Sequence, residues 1–413
     1  MKILWITNCE MPKAAEYFGR NSLSGIWLRQ SLLLSNIPEI ELHVISRSYQ
    51  EYEEFKIDNI YYSSFLEENT DKSIVKLISM INPDVIHIWG TEYYPSYAAI
   101  KYLESNHLLS RTVVSIQGLI SYIARYHYYS FLPESVINKY TLSGIKNNCN
   151  IRKDRDDMLR RSEYEKKIFE ISKNCIGRTE WDYAGVKLIN KNINYYYCNE
   201  IMRESFYNSE WKADNCNRFS IFFSQANYPL KGFHIFLEAA DIIKKTYPQV
   251  KIRVLGKPIE NNFISYIHDS SYQRYIRKLI NKYSLWENIV WLGSLEEEGM
   301  VSEFLQANVF VCSSTIENSS NSVGEAMLLG VPVVASNVGG MNSLLENKKE
   351  GLLYQADAPY LLAYDVMRIF EDSNLATELG KNARKRALVD HDQKVNTNIL
   401  VDIYNELYKA EKE

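Results

Sequence analysis

The chain has no long apolar segment. No stretch approaches the ~18 uninterrupted apolar residues expected of a membrane-spanning helix. The N-terminus, MKILWITNCE, turns polar after one short apolar run. This composition argues against both a signal peptide and a membrane span. We therefore expect a cytoplasmic, soluble protein that is at most peripheral to the inner face of a membrane.

Cysteine and net charge are also limited. The six cysteines are scattered between Cys9 and Cys312 without the paired spacing of a zinc site or a short disulfide framework, so reduced thiols are expected. The formal net charge is −4, which gives the chain no overall attraction to nucleic acid. We expect no nucleic-acid partner.

Short β-branched runs alternate with longer segments of helical periodicity, a pattern typical of parallel sheets built from βαβ units. The predicted strands lie at 2–7, 41–46, 85–90, 112–118 and 174–179 in the first half and at 219–225, 251–256, 288–293, 309–314 and 331–336 in the second. Predicted helices at 358–371, 374–389 and 392–410 close the chain. Because 413 residues exceed one ordinary hydrophobic core, we expect an α/β protein with two Rossmann-like, doubly wound lobes.

The most informative segment lies between Glu317 and Glu325. It connects the predicted strand VFVCSS to a predicted helix that runs from Ser322 to Leu329 and ends at Gly330. A helix N-terminus offers unpaired backbone N–H groups and a positive dipole end, which favour an anion such as a diphosphate. The residues Asn321, Ser322, Val323 and Gly324 carry no bulky side chain that would keep a ligand from this backbone.

The two carboxylates of this segment fit sugar hydroxyls, because an ionised carboxylate only accepts hydrogen bonds and a vicinal diol donates two. A nucleotide sugar would satisfy both the helix terminus and the two glutamates. The alternative is that Glu325 only complements the helix dipole and that Glu317 is a solvated loop residue.

From about Asn215 to Leu353 the chain resembles the nucleotide-binding lobe of the retaining glycosyltransferases of family 4, whose hallmark is Glu, seven residues, Glu. Here the matching residues are Glu317 and Glu325 in IENSSNSVGEAMLLGVPVVASNVGG. The segment FFSQANYPLKGFHIFLEAADIIKK resembles the phosphate-contacting strand, loop and helix of that family, with Lys231 in the expected place. KIRVLGKP and NIVWLGSLEEEGM resemble the segments that hold the base.

The resemblance implies the GT-B fold, in which two facing Rossmann-like lobes enclose a cleft and a C-terminal helix crosses back to the first lobe. The predicted domains are an acceptor-binding lobe at 1–205, joined by the crossing segment 392–413, and a nucleotide-sugar-binding lobe at 206–391. The boundary lies between Glu200 and Arg218, where apolar periodicity is lost.

The implied activity is transfer of a sugar, with retention of configuration, from a UDP- or GDP-linked donor to an acceptor hydroxyl. The implied acceptor is an oligosaccharide, a glycolipid or a lipid-linked sugar in cell-surface polysaccharide or glycolipid biosynthesis. No cofactor is expected, and the reaction is expected to need no metal. The run Asp154–Asp157 is acidic, but it lies in a predicted helix among basic residues, where ion pairing is the usual explanation.

The resemblance also assigns site residues. It places Glu317, Lys231 and Gln117 at the reacting centre. The donor-binding residues are Gly25, Gln225, Lys231, Gly256, Ser294, Leu295, Glu317, Asn321, Ser322, Val323, Gly324 and Glu325. The acceptor-binding residues are Glu92, Gln117 and Arg178. Gly25 follows Ser24 in a segment similar to the glycine-rich loop of the family, although a glycine there is equally explained as a helix-entry residue.

Two positions depart from the family pattern. Ala226 stands where the family commonly has an arginine, so Gln225, Asn227, Lys257 or Arg125 would have to compensate. Gln117 stands where many relatives have a histidine. A glutamine can hydrogen-bond a sugar hydroxyl but cannot carry a proton near neutral pH.

Three further features have open interpretations. His87 is predicted to be a packed strand residue, and Asp182 is predicted to cap a helix. The aromatic segment 121–140 could rest on a bilayer, bind the acceptor, or pack between the lobes.

Two alternative functions stay open. The departures at Ala226 and Gln117 are compatible with a catalytically silent relative that binds a nucleotide sugar and acts as a partner. A sugar-nucleotide epimerase or phosphorylase on the same fold also stays open.

Overall fold

The computed structural model describes residues 1–20, 25–146 and 149–410. Its strands are β1 Lys2–Thr7, β2 Glu41–Arg47, β3 Phe55–Ile57, β4 Ile60–Phe65, β5 Val85–Trp89, β6 Thr112–Ser115, β7 Asn174–Gly177, β8 Asn194–Tyr197, β9 Ser220–Phe223, β10 Lys251–Leu255, β11 Ile289–Gly293, β12 Val309–Cys312, β13 Val333–Ser336 and β14 Leu352–Tyr354. Its helices are α1 Pro12–Tyr17, α2 Gly25–Ser35, α3 Thr70–Ile81, α4 Tyr94–Ser105, α5 Ile120–Tyr122, α6 Glu134–Ile137, α7 Leu142–Lys146, α8 Ile151–Ile171, α9 Glu180–Ile189, α10 Phe233–Thr246, α11 Phe263–His268, α12 Ser271–Lys282, α13 Glu297–Gln306, α14 Asn321–Leu329, α15 Met341–Leu344, α16 Pro359–Glu371, α17 Ser373–Asp390 and α18 Gln393–Lys409.

The strands form two sheets. The first has the order β3-β4-β2-β1-β5-β6-β7-β8, and its pairs are parallel except for the β3–β4 hairpin. The second has the order β11-β10-β9-β12-β13-β14 and is parallel throughout. Helices occupy the connections between the other parallel strands, whereas only β3 lies between the parallel strands β2 and β4. The predicted α/β class with two doubly wound sheets is confirmed.

The predicted strands all exist, but four others do not follow from the sequence pattern: β3, β4, β8 and β14. β3 and β14 have only three residues each, and β8 is an edge strand of one asparagine and three tyrosines whose residues are half-buried or exposed. Short or half-exposed strands lack the continuous β-branched run that marks a buried parallel strand, and so does β4, which reads IYYSSF. Strand pairing supplied by the neighbouring strands therefore decides their conformation.

The chain divides into two compact units. The first comprises Met1–Ser121, Leu159–Arg203 and the segment from His391 onward, and the second comprises Tyr122–Met158 and Glu204–Asp390. The sequence-based division at 205/206 and 391/392 assigned residues 122–158 to the first lobe, whereas these residues pack with the second unit. The reason is a set of contacts to α10 and to the loop after β12, described below.

Aromatic side chains fill the core of the second unit. Phe304 of α13 lies 4.7 Å from Phe222 of β9 and 5.0 Å from Phe310 of β12, measured between ring centroids. All three side chains are fully buried. This packing joins the two central strands to a crossover helix, so the loops that leave β9 and β12 start from a rigid base.

The last helix, α18, is anchored to the first sheet through the buried hydroxyl of Tyr404. Trp5 Nε1 of β1 donates to this hydroxyl at 2.9 Å, and the hydroxyl lies 2.6 Å from His87 Nδ1 of β5. The hydroxyl proton therefore goes to Nδ1, and the proton of His87 sits on Nε2, which donates to Ser115 Oγ at 2.6 Å. Burial lowers the pKa of His87 to about 3, so the ring is neutral. The return of the terminal helix to the first unit and the packed role of His87 are both confirmed.

Replacing Tyr404 with phenylalanine should lower the free energy of unfolding by about 1–3 kcal/mol, because two buried polar groups would lose their partner. Urea unfolding monitored by tryptophan fluorescence measures the change. Tyr17→Phe is the matched control, since the Tyr17 side chain is largely exposed in the same unit. Equal stability of the two variants would show that the hydroxyl of Tyr404 is not a structural anchor.

Candidate active site

The strand order of the second sheet selects one point for ligand binding. The chain runs outward from β9 to β10 and β11 on one side, and from β12 to β13 and β14 on the other. Open α/β sheets bind ligands beyond the carboxyl ends of the strands where the order reverses, which here are β9 and β12. The loop after β9 carries Lys231 and the loop after β12 carries Glu317.

Lys231 and Glu317 form a close ion pair at this point. Lys231 Nζ donates to Glu317 Oε1 at 2.6 Å, and Ser314 Oγ donates to the same oxygen at 2.6 Å. Their side chains are 23% and 12% exposed. The interpretation of Glu317 as a solvated loop residue is therefore wrong. Ser314 was not foreseen from the sequence, because a serine at a strand exit has many ordinary explanations.

The ion pair keeps the lysine charged. Burial by itself lowers the pKa of Lys231, but the charges of Glu317 and of neighbouring groups outweigh burial and raise this pKa above its ordinary value. The ring of Tyr228 lies 5.9 Å from Lys231 Nζ and adds a further partner. Lys231 is therefore positively charged at the switch point near neutral pH.

A glycine permits the two loops to meet. Gly232 has a φ of +68°, and a Cβ at this residue would overlap the carbonyl oxygen of Ser313. Ser313 Oγ in turn donates to the carbonyl oxygen of Gly232 at 3.0 Å. Because this close approach immediately follows Lys231, it sets the lysine beside Glu317.

Helix α14 begins beside this pair. It starts at Asn321, one residue before the predicted start, and ends at Gly330, which has a φ of +76°. Asn321 and Ser322 are half-buried, whereas Val323 and Gly324 are buried. The first-turn amides of a helix have no acceptor within the helix, so this end can receive an anion.

Glu325 lies deeper than the sequence suggested. It is the fifth residue of α14, beyond the predicted first turn, and is only 4% exposed. Its proposed contact with a ribose hydroxyl stays a prediction.

The other predicted donor residues follow β9, β10 and β11. Gln225 and Ser294 are exposed, and Leu295 is half-buried. Gly256 has a φ of +121°, and a Cβ there would come within 2.6 Å of Asn227 Oδ1. The loops after β9 and β10 are thus in contact, as a site for one ligand requires.

The position at which the family commonly has an arginine is buried, since Ala226 is 2% exposed. Its neighbour Asn227 is exposed, as are Lys257 and Arg125. Arg125 lies over the ring of Tyr126 at 5.4 Å. Compensation for the arginine by any of these residues stays a prediction.

The segment 122–158 contacts the candidate donor site from an unexpected direction. His234 Nε2 of α10 donates to the Ser130 carbonyl oxygen at 2.6 Å, and Ser130 Oγ lies 2.9 Å from Thr315 Oγ1. Burial lowers the pKa of His234 to about 4, so this histidine is neutral. No local pattern in the sequence predicts these contacts, because the residues lie about a hundred or more positions apart.

Gln117 and Arg178 meet in the first unit at Glu200. Gln117 Nε2 donates to Glu200 Oε1 at 3.1 Å, and Arg178 Nη1 lies 2.8 Å from Glu200 Oε2. The three residues line a small pocket together with Trp27 and Trp89. Glu200 appeared in the sequence only as the start of the boundary region. The contacts of Gln117 and Arg178 with the substrate stay predictions.

Glu92 follows β5, which borders the order reversal of the first sheet. Burial raises the pKa of its carboxyl group above the ordinary value. Nearby, burial raises the pKa of Glu165 to about 7, and this carboxylate accepts from the Ile120 and Ser121 amides at 2.9 Å. Glu165 escaped sequence analysis because it lies within a long charged helix. The role of Glu92 in acceptor binding stays a prediction.

Other predictions have simple outcomes. Asp182 caps α9, because its amide bonds to Thr179 Oγ1 at 3.1 Å and its carboxylate accepts from the Thr179 amide. The Asp154–Asp157 run lies in α8, as predicted. Gly25 is the first residue of α2, whereas Ser24 lies outside the described residues.

The aromatic segment is mixed in exposure. Tyr126 and Phe131 are 64% and 63% exposed, whereas Ala124 and Leu132 are buried.

Within residues 1–20, 25–146 and 149–410, no helix is long and apolar enough to cross a membrane. Over the same ranges, no three His, Cys, Asp or Glu side chains cluster in a way that could hold a metal ion. Metal independence of the reaction stays a prediction.

Comparisons with known proteins bear on the family and the fold of the chain. Residues 209–386 match the family model of glycosyl transferases group 1. The chain is 26% identical over 180 residues to the D-inositol 3-phosphate glycosyltransferase of Corynebacterium urealyticum (strain ATCC 43042 / DSM 7109), covering 43% of this chain and 41% of that protein. The match to the putative glycosyltransferase YtcC of Bacillus subtilis (strain 168) covers 40% of that protein. The chain thus spans about two fifths of the length of these two curated relatives.

Solved structures are similar over nearly the whole chain. Sucrose-phosphate synthase from Thermosynechococcus elongatus superposes with a TM-score of 0.72 at 17% identity, covering 99% of this chain and 100% of that chain. Anabaena Alr3699/HepE, solved in complex with UDP, gives a TM-score of 0.66 at 15% identity, covering 98% and 100%. The same protein has also been solved in complex with UDP-glucose. These likenesses establish the GT-B fold, and with the match of residues 209–386 they support a GT-B glycosyltransferase.

Proposed function

We propose that this protein transfers a sugar from a nucleoside diphosphate sugar to an acceptor hydroxyl. The observation that carries the proposal is the Lys231–Glu317 pair at the switch point of the second sheet, beside the N-terminus of α14. A cation, a helix terminus and a carboxylate at one point match the diphosphate and the hydroxyls of such a donor.

The donor is proposed to bind the second unit. Its diphosphate would lie at the first turn of α14 and near Lys231, which together offset the negative charge that grows on the leaving group. This charge compensation comes from the chain itself, so we propose transfer without a metal and without a cofactor. UDP is the favoured nucleotide because the similar protein HepE has been solved with UDP and with UDP-glucose, and GDP is the alternative.

The sugar is proposed to contact Glu317 and to leave with its configuration retained. Glu317 Oε1 already accepts from Lys231 and Ser314, so the carboxylate is held in place for hydroxyl groups at its remaining lone pairs. Retention follows from the resemblance to family 4. In the reaction we propose, the bond from the anomeric carbon to the diphosphate oxygen breaks as the acceptor oxygen bonds on the same face. The departing phosphate then takes the hydroxyl proton.

The acceptor is proposed to be an oligosaccharide, a glycolipid or a lipid-linked sugar that binds the first unit through Glu92 and Gln117. Family 4 commonly builds cell-surface polysaccharides and glycolipids, which supports this class. Peripheral contact with a membrane is proposed through the exposed aromatic side chains of the segment 121–140, Tyr126 and Phe131.

Incubation with UDP-, GDP- and ADP-sugars tests the proposal. In the presence of glycolipid or oligosaccharide acceptors, the protein should release nucleotide from one donor and form a product with the anomeric configuration of that donor, as read by NMR. Donor binding without nucleotide release would indicate a catalytically silent relative. Interconversion of donors without an acceptor would indicate an epimerase, and phosphate-dependent cleavage would indicate a phosphorylase.

A further inference from the structure

We propose that Glu200 and Arg178 are positioning residues that fix the orientation of the Gln117 amide, so that its carbonyl end recognises a sugar hydroxyl. The inference rests on the proposed function and deepens it. Neither Glu200 nor Arg178 would touch the substrate, because each acts through Gln117. The inference therefore replaces the predicted contact between Arg178 and the acceptor with an indirect role.

The orientation follows from the chemistry of the two side chains. An ionised carboxylate only accepts hydrogen bonds, whereas a glutamine amide donates from Nε2 and accepts at Oε1. Because Glu200 Oε1 lies 3.1 Å from the amide, the end that faces it has to be Nε2. The planar amide then directs its carbonyl oxygen away from Glu200.

Arg178 holds Glu200 in that position. Its Nη1 lies 2.8 Å from Glu200 Oε2, on the carboxylate oxygen that Gln117 does not use. Its Nη2 donates at 3.2 Å to the carbonyl oxygen of Ile116, the residue directly before Gln117. One guanidinium therefore braces both the carboxylate and the backbone from which Gln117 extends.

Burial makes the arrangement rigid. Arg178 and Glu200 side chains are 5% and 9% exposed. The backbone of Glu200 is also held, because its carbonyl oxygen accepts from His391 Nδ1 at 2.9 Å. A buried ion pair of this kind resists rearrangement, since removing one partner leaves an uncompensated charge.

The arrangement has a consequence for specificity. A carbonyl oxygen recognises only a group that donates, so the ligand atom at Gln117 should be a hydroxyl and not a fluorine or an ether oxygen. The carboxylate of Glu200 binds the Nε2 end of Gln117, so the carbonyl end is the one that meets the sugar. An amide at position 200 would allow Gln117 to bind in the flipped orientation as well. Glu200 thus determines which end of the Gln117 amide contacts the sugar.

Glu200→Gln tests the inference. The readout is kcat/KM for an oligosaccharide acceptor divided by kcat/KM for analogues of this acceptor in which one non-reacting hydroxyl at a time is replaced by fluorine. The unmodified protein should disfavour the analogue at one position. In the variant this ratio should fall about tenfold, which corresponds to the loss of one oriented hydrogen bond. A purely structural role would lower both rates and leave their ratio unchanged.

A matched control removes a different arginine–glutamate pair. Arg253 bonds to Glu303 through two hydrogen bonds of 2.5 and 2.6 Å in the second unit. Glu303→Gln should leave the fluorine ratio as it is in the unmodified protein, whatever its effect on stability. If Glu200→Gln does not fold, Glu200→Asp keeps the negative charge but shortens the side chain and so weakens its hydrogen bond to Gln117, and a fall in the ratio is again expected.

A double-variant cycle completes the test. In a Gln117→Met background, Glu200→Gln should leave the fluorine ratio unchanged, because the amide that it orients is gone. An unchanged ratio in an active Glu200 variant would overturn the inference alone, as would an unmodified protein that uses every fluorinated acceptor equally well. Absence of sugar transfer by the unmodified protein would overturn the proposed function and this inference with it.

Discussion

Replacing Lys231 with methionine should lower kcat for sugar transfer on the order of 10²–10³-fold, the usual effect of removing one preorganised group that stabilises transition-state charge. Methionine keeps the length of the side chain and removes its positive charge. The charge matters most as the bond to the diphosphate breaks, because negative charge then builds on the leaving group. The fall should therefore appear in kcat more than in the affinity for the free nucleotide.

Steady-state kinetics and calorimetric titration with nucleoside diphosphate measure these two quantities. Lys245→Met is the control, because Lys245 is exposed and forms an ion pair of 2.7 Å with Asp241 on the surface of α10, in the same unit. The variant Lys231→Met also leaves the Glu317 carboxylate without its cation, so its unfolding should be followed in parallel. A folded Lys231→Met protein with kcat within about threefold of normal would contradict the assigned role.

Replacing Glu317 with glutamine should lower kcat/KM on the order of 10²-fold, a loss of about 2.7 kcal/mol of transition-state stabilisation. Glutamine has the same shape and can still accept from Ser314 Oγ, so the loop should keep its conformation. It lacks the charge that holds Lys231 and that attracts sugar hydroxyls. The lost activity would therefore report the charge of the carboxylate and not its packing.

The same variant should change the pH dependence. In the intact pair, burial lowers the pKa of Lys231, but Glu317 and its neighbours raise the pKa by more. Without the Glu317 charge, burial acts with less opposition and the pKa of Lys231 falls. The alkaline limb of the pH–rate profile should therefore move to lower pH in Glu317→Gln.

Glu346→Gln is the matched control for this experiment, because Glu346 is an exposed carboxylate in the same unit that pairs with Lys349 at 2.8 Å. It should change neither kcat/KM nor the alkaline limb. An alkaline limb that stays in place in Glu317→Gln would show that the titrating group is not Lys231. Full activity of that variant would remove Glu317 from the reacting centre.

The local sequence was sufficient for the main elements of the second unit. Runs of β-branched and aromatic residues give β9, β10, β12 and β13, because such residues pack well on both faces of a buried parallel strand. The end of α14 follows from Gly330, since a glycine readily takes the left-handed conformation that terminates a helix. Lys231 and Glu317 could be named in advance because the segments that carry them resemble the phosphate-contacting segment and the Glu, seven residues, Glu hallmark of the family 4 glycosyltransferases.

The tertiary structure alone decided how those residues meet. Lys231 and Glu317 are 86 positions apart, and their contact depends on the strand order and on Gly232. Neither dependence is visible in local periodicity. The same reason applies to Glu200, which looks like an ordinary loop carboxylate until the fold brings Arg178 and Gln117 to it.

The sequence by itself thus determined the alternation of strands and helices and the loops that carry charge, because these depend on the residue types of neighbouring positions. Only the tertiary structure decided that residues 122–158 belong with the second unit, that Ser130 reaches Thr315, and that Glu317 is paired and not solvated. Such contacts join residues that are distant in the chain. Their existence follows from strand order and close packing, which no single segment encodes.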